Sequence, residues 1–434
     1  MRTRLMMISA GLAMLLVTHA RGADLDAYVH QPDKSFVWSQ TSNHDTANGK
    51  VISIDLTSQT WRGIPWKHAM RVYVPATITY PDAMILFITG GSNGGNPSPT
   101  DDLLGFMLAK ASGARVAVLP QVPNQPLLGG KKEDDLIAET FMNFLKDGEA
   151  DWPLLLPMAK SAVKAMDALQ QWGAEQKQPV ARFVVTGASK RGWTTWLAGA
   201  VDRRVVGIAP MVIPTLNMRA QTKHQLDVWG KYSEQIMDYT RRGLTEKFEE
   251  PEGRKLWQLV DPFSYRDRLT LPKLQINGAN DRYWTHDSVN VYWDDLKGPS
   301  YVVYLPNAGH GLNEHREYAL NGVAALFRHV VTGRPMPKLA WSPEPAADGG
   351  LTLNVAAPEA KSVAFWVAKS ATRDFRESRW EEIAGETVAG GGSITLKRPE
   401  SGNAVVLGDI AFEIDDLSYH LSTQVFEVNT KAAE

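Results

Sequence analysis

Short, unbroken apolar runs alternate with longer amphipathic stretches through the first three quarters of the chain. Residues 84–89 (MILFIT), 115–119 (RVAVL) and 183–186 (FVVT) are too short for helices and show no polar alternation. Such runs predict strands buried on both faces, the state of strands in a parallel sheet covered by helices. Residues 51–56, 70–74, 205–212, 274–277 and 301–305 predict further strands. Between them, residues 153–172 place Leu155, Met158, Ala162, Ala165, Met166 and Leu169 three and four residues apart. That is the spacing of a helix with one face on the sheet, and its methionines read as core filler. Helices are also predicted over residues 134–146, from Ser189 through Val201, and over residues 314–331. The alternation predicts an α/β domain over residues 24–338, a mostly parallel sheet flanked by helices.

Two segments break the pattern. Residues 217–268 are more polar and rich in aromatics (Trp229, Tyr232, Tyr239, Trp257, Phe263), and read as a cap over a site or as a plain helical connection. After Gly333-Arg334-Pro335-Met336-Pro337 the helical period disappears. Short alternating segments (351–355, 362–367, 393–396), separated by Gly, Pro and Asp, predict a C-terminal β-sandwich of about seven strands over residues 339–434.

The first 23 residues have the order of a signal peptide: Arg2 and Arg4, an apolar run over 5–17, then the small residues Ala20, Gly22 and Ala23. A bilayer span needs about 20 apolar residues, so the run is short for an anchor. No stable membrane span is expected after cleavage, and the expected location is the periplasm or the medium.

Composition narrows the chemistry. Hydrophobic residues make up 44% and charged residues 22% of 434, which is ordinary for a folded chain. There is no Cys, which excludes disulfides, thiolate metal sites and Cys nucleophiles. A net charge of −2 without a Lys/Arg-rich run makes nucleic acid an unexpected partner. No His or carboxylate pair has metal spacing on one helix face, so neither a metal nor another cofactor is expected.

Ser189 stands in the order strand–Gly187–Ala188–Ser189–Lys190–Arg191–Gly192–helix. A nucleophile on a tight strand-to-helix turn needs small neighbours, but the usual G-x-S-x-G pattern puts Gly where Arg191 stands here. Alone, this variant reads equally as a serine capping a helix. Two further strand ends add weight. Residues 274–277 run into Gly278-Ala279-Asn280-Asp281, and residues 301–305 into Pro306-Asn307-Ala308-Gly309-His310-Gly311. The chain order Ser189, Asp281, His310 is that of a hydrolase triad: nucleophile, orienting acid and general base. Oxyanion donors are expected from the backbone of Lys190 and from the glycine-rich loop at Gly90, Gly91 and Ser92. That loop lacks the Lys-Ser/Thr ending of a phosphate cradle.

Arg191 and Trp193, in the first turn after Ser189, are the expected substrate contacts. The Lys190 and Arg191 charges suit an acidic substrate, or else pair with Asp202. Asp287 is a rival acid, better placed to cap a helix. His286, His315 and His329 lack strand-end placement and read as surface residues.

Several long motifs resemble those of PhoPQ-activated pathogenicity-related proteins. They are SQTWRGIPWKHAMRVYVP (58–75), DWPLLLPMAKSAVKAMDA (151–168), TGASKRGWTTWLAGAVDRRVVGIAPMV (186–212), NGANDRYWTHDS (277–288), YLPNAGH (304–310) and AFWVAKSATRDFRESRW (364–380). The resemblance implies an α/β-hydrolase fold and a link by name to bacterial virulence, without a defined substrate. The local G-x-S-K-R-G turn is also similar to that of glucuronoyl esterases, which place a basic residue after the nucleophile. Together these readings predict an exported serine hydrolase acting on an ester, or an amide, of a small molecule, carbohydrate ester or peptide. The alternatives are a dipeptidyl-type peptidase and a non-catalytic binding or effector protein on the same scaffold.

Overall fold

A computed structural model describes residues 24–388 and 390–430, so the expected signal peptide lies outside the described residues. The strands of the first part are β1 (Val37–Thr46), β2 (Gly49–Trp61), β3 (Ile64–Pro75), β4 (Ala83–Ile88), β5 (Arg115–Leu119), β6 (Arg182–Ala188), β7 (Val205–Met211), β8 (Lys273–Gly278) and β9 (Ser300–Leu305). They lie in the order β1-β2-β3-β5-β4-β6-β7-β8-β9. β1, β2, β3 and β5 pair antiparallel, and from β5 through β4 to β9 every pair is parallel. The fully apolar runs became the central strands: β4, β5 and β8 are buried at every position.

The helices are α1 (Leu25–His30), α2 (Pro99–Ser112), α3 (Glu133–Asp147), α4 (Leu155–Glu175), α5 (Lys190–Val201), α6 (Met218–Trp229), α7 (Met237–Thr240), α8 (Pro251–Val260) and α9 (Arg316–Thr332). Two apolar clusters occupy the two faces of the sheet. One holds residues of α1, α3, α4 and α5, including Leu136, Met158, Leu169 and Trp196; the other holds residues of α2 and α9, including Leu108 and Phe327. Sheet and helices therefore form three layers, with the carboxyl ends of the parallel strands at one rim.

The pattern of apolar residues did not announce β1 or α2. All but one of β1's ten positions are exposed, and it pairs only with β2, so it has no buried face to mark it. α2 leaves Leu103 58% and Met107 43% exposed, which blurs its apolar stripe.

The C-terminal segment supplies β10 (Ala340–Pro345), β11 (Leu351–Ala356), β12 (Ser362–Ser370), β13 (Glu381–Ile383), β14 (Glu386–Val388), β15 (Gly391–Leu396), β16 (Asn403–Ile414), β17 (Leu417–Ser422) and β18 (Phe426–Asn429). It differs from a sandwich closed on itself. β17 pairs antiparallel with β9, at Ser422 opposite Val302, and the Tyr304 N–H donates to Ser422 Oγ at 3.0 Å. Strands β17, β16, β12 and β13 thereby prolong the main sheet, and β18 pairs with β16. β10, β11, β15 and β14 make a separate four-stranded sheet. Leu353, Val355 and Ile394 of that small sheet share an apolar cluster with Phe365, Val406 and Ile410 of the prolongation. The physical reason lies in β9, whose outer edge would otherwise present unpaired backbone groups. Arg328 of α9 adds a second tie, donating to the Ile414 carbonyl at 3.3 Å and to Asp416 at 2.6 Å.

A chain cut after Lys338 should therefore lose soluble yield and melt about 10 °C or more lower, at roughly 2–4 °C per kcal/mol for a chain of this size. Size-exclusion chromatography and calorimetry check this. A truncated protein that stays monomeric with the parent's melting temperature would show that the seam is not needed.

Candidate active site

Ser189 sits between the end of β6 and the first residue of α5, with φ 57° and ψ −128°. A non-glycine residue there is strained, and such strain persists only where the surroundings impose it. A Cβ on Gly187 would lie 2.8 Å from the Arg191 carbonyl oxygen. One on Gly192 would lie 2.6 Å from Ile213 Cγ2 and 2.9 Å from the Gly187 carbonyl oxygen. These two glycines let the first turn of α5 press onto β6 and β7. The variant motif is explained by this: the close approach falls at Gly192, not at Arg191. The Ser189 N–H donates to the Met211 carbonyl at 2.9 Å, and the Ser189 side chain makes no capping bond to α5. The helix-cap reading is thereby replaced.

β8 and β9 deliver the acid and the imidazole. Gly278 again permits contact, since a Cβ there would sit 2.5 Å from the carbonyl oxygens of Ala308 and Gly309. The Asn280 N–H donates to Ala308 O at 2.9 Å, tying the two loops together. His310 Nδ1 donates to Asp281 Oδ2 at 2.8 Å, and Asp281 Oδ1 accepts from the Tyr283 N–H at 2.8 Å. Asp281 is buried, while the His310 side chain is 26% exposed. The imidazole stacks on Tyr283 with ring centres 4.1 Å apart. Among the described residues no hydrogen bond joins Ser189 Oγ to His310. The His310–Asp281 contact is made in this conformation and the Ser189–His310 contact is not.

Ser189 and Tyr283 line the same pocket, a narrow cavity of about 50 Å³. More than half of its wall comes from residues 217–268, including Met218, Ile236, Tyr239, Phe248 and Trp257. That segment thus covers the pocket. Its two ends are held by Asp261, which accepts from the N–H groups of Asn217, Met218 and Phe263. Trp193 also lines the pocket, and its Nε1 donates to Val260 O at 2.5 Å.

The basic pair is met by acidic side chains of α3. Lys190 Nζ lies 2.9 Å from Glu133 and 3.2 Å from Asp134, and its side chain is 7% exposed. Arg191 holds Glu133 through two bonds of 2.8 Å, donates from Nε to Val122 O, and its guanidinium underlies Gly90. The charge at Arg191 that would suit an acidic substrate is met by Glu133 at the start of α3, as is that of Lys190. Asp202 pairs with Arg204 instead. Nothing in the sequence pattern marked Glu133 or Asp134 as partners, because the pairing spans more than 50 residues. Burial alone would raise the Glu133 carboxyl, but the bonds and charge of Arg191, with Lys190 and Gln125, hold it well below the ordinary range. Asp134 accepts from Tyr239 at 2.9 Å, and burial with Asp134 beside it pushes that hydroxyl up. Burial, then Asp134 and Asp281, pushes Tyr283 up to about 12.

In the glycine-rich loop, Gly90 lies next to Arg191 and its carbonyl accepts from the Gln121 N–H at 2.7 Å. Ser92 is exposed and closes a turn with Gly95, while Gly94 and Gly95 line a different groove beside His68 and Gln121. Of the expected donors, Gly90 is the one seen against an elbow residue, the Arg191 guanidinium.

The rival Asp287 makes no capping bond; it accepts from His224 Nε2 at 2.7 Å. The surface reading of two histidines is also corrected. His286 and His329 are 7% and 8% exposed, because strands from the C-terminal segment close over them. His329 Nε2 bonds Tyr419 Oη at 3.0 Å. Contacts made more than 80 residues along the chain leave no trace near either histidine.

The sequence profile of PhoPQ-activated pathogenicity-related proteins matches residues 25–376. Autocrine proliferation repressor protein A of Dictyostelium discoideum is 34% identical over 431 residues, covering 90% of this chain and 86% of that protein. Among solved structures, an acetyl xylan esterase from a Paenibacillus species overlays with a TM-score of 0.47 at 13% identity, covering 69% of this chain and 92% of its own. Acetyl xylan esterase 1 from a Thermoanaerobacterium species gives 0.47 at 18% identity, covering 70% and 94%. Neither overlay decides a substrate.

Glu133 yields a test of the clamp. Its folded value lies below the ordinary 4.5, so its stabilisation is complete above that pH and is lost as the pH falls beneath it. Glu133→Gln should lower the melting temperature at pH 7 by a few degrees, on the order of 1 kcal/mol once solvent screening is allowed for. The gap between variant and parent should narrow below about pH 4.5. A gap that stays constant down to pH 3 would show that the carboxylate's charge carries none of it.

Proposed function

The chain belongs to the PhoPQ-activated pathogenicity-related protein family, and on that premise we propose that it is an exported serine esterase. The single observation that carries the reading is an uncapped, strained Ser189 that lines a pocket together with Tyr283, the ring on which His310 stacks while bonded to Asp281 at 2.8 Å. Ser189 Oγ attacks the ester carbonyl carbon while His310 Nε2 takes its proton. Asp281 holds the Nδ1–H, which fixes the tautomer and stabilises the imidazolium. The oxyanion is met by the N–H of Lys190 and by an N–H from Gly90 or Gly91, each worth about 2.7–4 kcal/mol in such sites. His310 then protonates the departing alcohol. The acyl-enzyme is hydrolysed by a water that gives its proton to the same imidazole.

The pocket argues for the acyl group. Its cavity of about 50 Å³ is narrow, which favours a small group. Its wall is mostly aromatic and aliphatic, which favours a short apolar acyl chain over a charged one. Export directed by residues 1–23 belongs to the same proposal, and N-terminal sequencing of protein recovered outside the cytoplasm tests it.

A fluorophosphonate probe should label the purified protein at Ser189. Ser189→Ala should abolish labelling and reduce hydrolysis of p-nitrophenyl acetate by about 10³-fold or more, and Asp281→Asn should cost about as much as in other triads, roughly 10⁴-fold. Acetate should be turned over faster than octanoate. A folded parent that takes no label would favour a binding or effector role, and a Ser189→Ala protein that retains turnover would remove Ser189 from the reaction.

A further inference from the structure

The loop between β8 and β9 carries a second group of polar side chains, apart from the Ser189 pocket. His286 and Asp287 lie on it, and Glu427 comes in from β18, so that one donor atom from each falls within 4.8 Å of the others. The two carboxylates are already held in place. Asp287 Oδ1 accepts from His224 Nε2 of α6 at 2.7 Å. Glu427 is clasped by Arg373, whose Nε and Nη2 lie 2.7–3.0 Å from its oxygens. His286 is different. It is 7% exposed and meets Phe375 edge-on with ring centres 4.7 Å apart. Neither of its ring nitrogens has a partner among the described residues. Buried polar groups are ordinarily bonded, and an unmade bond costs about 1–3 kcal/mol.

We propose that His286, Asp287 and Glu427 form a binding site for a divalent transition-metal ion, with Zn²⁺ the best match. One imidazole with two carboxylates and no thiolate is a donor set for Zn²⁺ and its neighbours, whereas Ca²⁺ and Mg²⁺ take oxygen shells. Bonds of about 2.0–2.2 Å put tetrahedral donors roughly 3.4 Å apart. Donors now within 4.8 Å therefore need to close by little more than an ångström, within reach of side-chain rotation. His224 and Arg373 serve as outer partners that orient the two carboxylates. Arg373 also takes up part of the negative charge, which weakens the site relative to an unpaired carboxylate couple. The ion joins two distant parts of the chain: β18 of the C-terminal segment and the loop that also bears Asp281 and Tyr283. The proposal is independent of any esterase activity.

The test uses the full chain, stripped with chelator and titrated with ZnCl₂ by calorimetry, with CaCl₂ as control. One Zn²⁺ per chain, a raised melting temperature and no response to CaCl₂ are expected. His286→Gln and Glu427→Gln should each weaken Zn²⁺ at least tenfold. X-ray absorption of the Zn²⁺-loaded parent should give a nitrogen and oxygen shell with imidazole scattering, and this reading stands even if both variants fail to fold. A parent that binds no stoichiometric Zn²⁺, folded variants that bind it as the parent does, or a bound ion without imidazole scattering would each overturn the site.

Discussion

The first turn of α5 lies so close to β6 and β7 that no side chain fits at Gly187 or Gly192. At that crossing Ser189 takes a positive φ of 57°, and its side chain makes no capping bond to the helix it precedes. The next two side chains are thrown toward α3, where Glu133 and Asp134 receive them. The same crowding explains why a departure from the usual glycine position is tolerated. What the geometry demands is a small residue where the helix meets the neighbouring strand, and this chain meets the demand one residue later.

Much of this was legible in the order of residues because strand burial and strand-end position are local properties. Runs such as MILFIT and RVAVL announce a strand without knowledge of what covers them. A serine, an aspartate and a histidine that each follow such a run are likewise visible one at a time. The bond between Asp281 and His310 follows once their strands are neighbours, as β8 and β9 are.

The parts that stayed hidden depend on long-range meetings. Arg191 gave no sign of serving Glu133, and a basic residue beside a nucleophile suggested substrate. His286 stood in a polar stretch that reads as surface until β18 is laid beside it. The C-terminal strands show the same limit: their alternation told their type but not their register, and only β9 reveals that they continue an existing sheet.

The four charges beside the elbow have a consequence for approach from solution. Lys190 and Arg191 carry two positive charges, Glu133 and Asp134 two negative ones, all within a few ångströms. Such a quadrupole fades quickly with distance, so at a Debye length of about 8 Å in physiological salt little field extends beyond the mouth. Under the proposed esterase reaction these four charges add little steering, and capture rates should take little ionic-strength dependence from them. Discrimination falls to shape and to the apolar wall, after arrival and not before it.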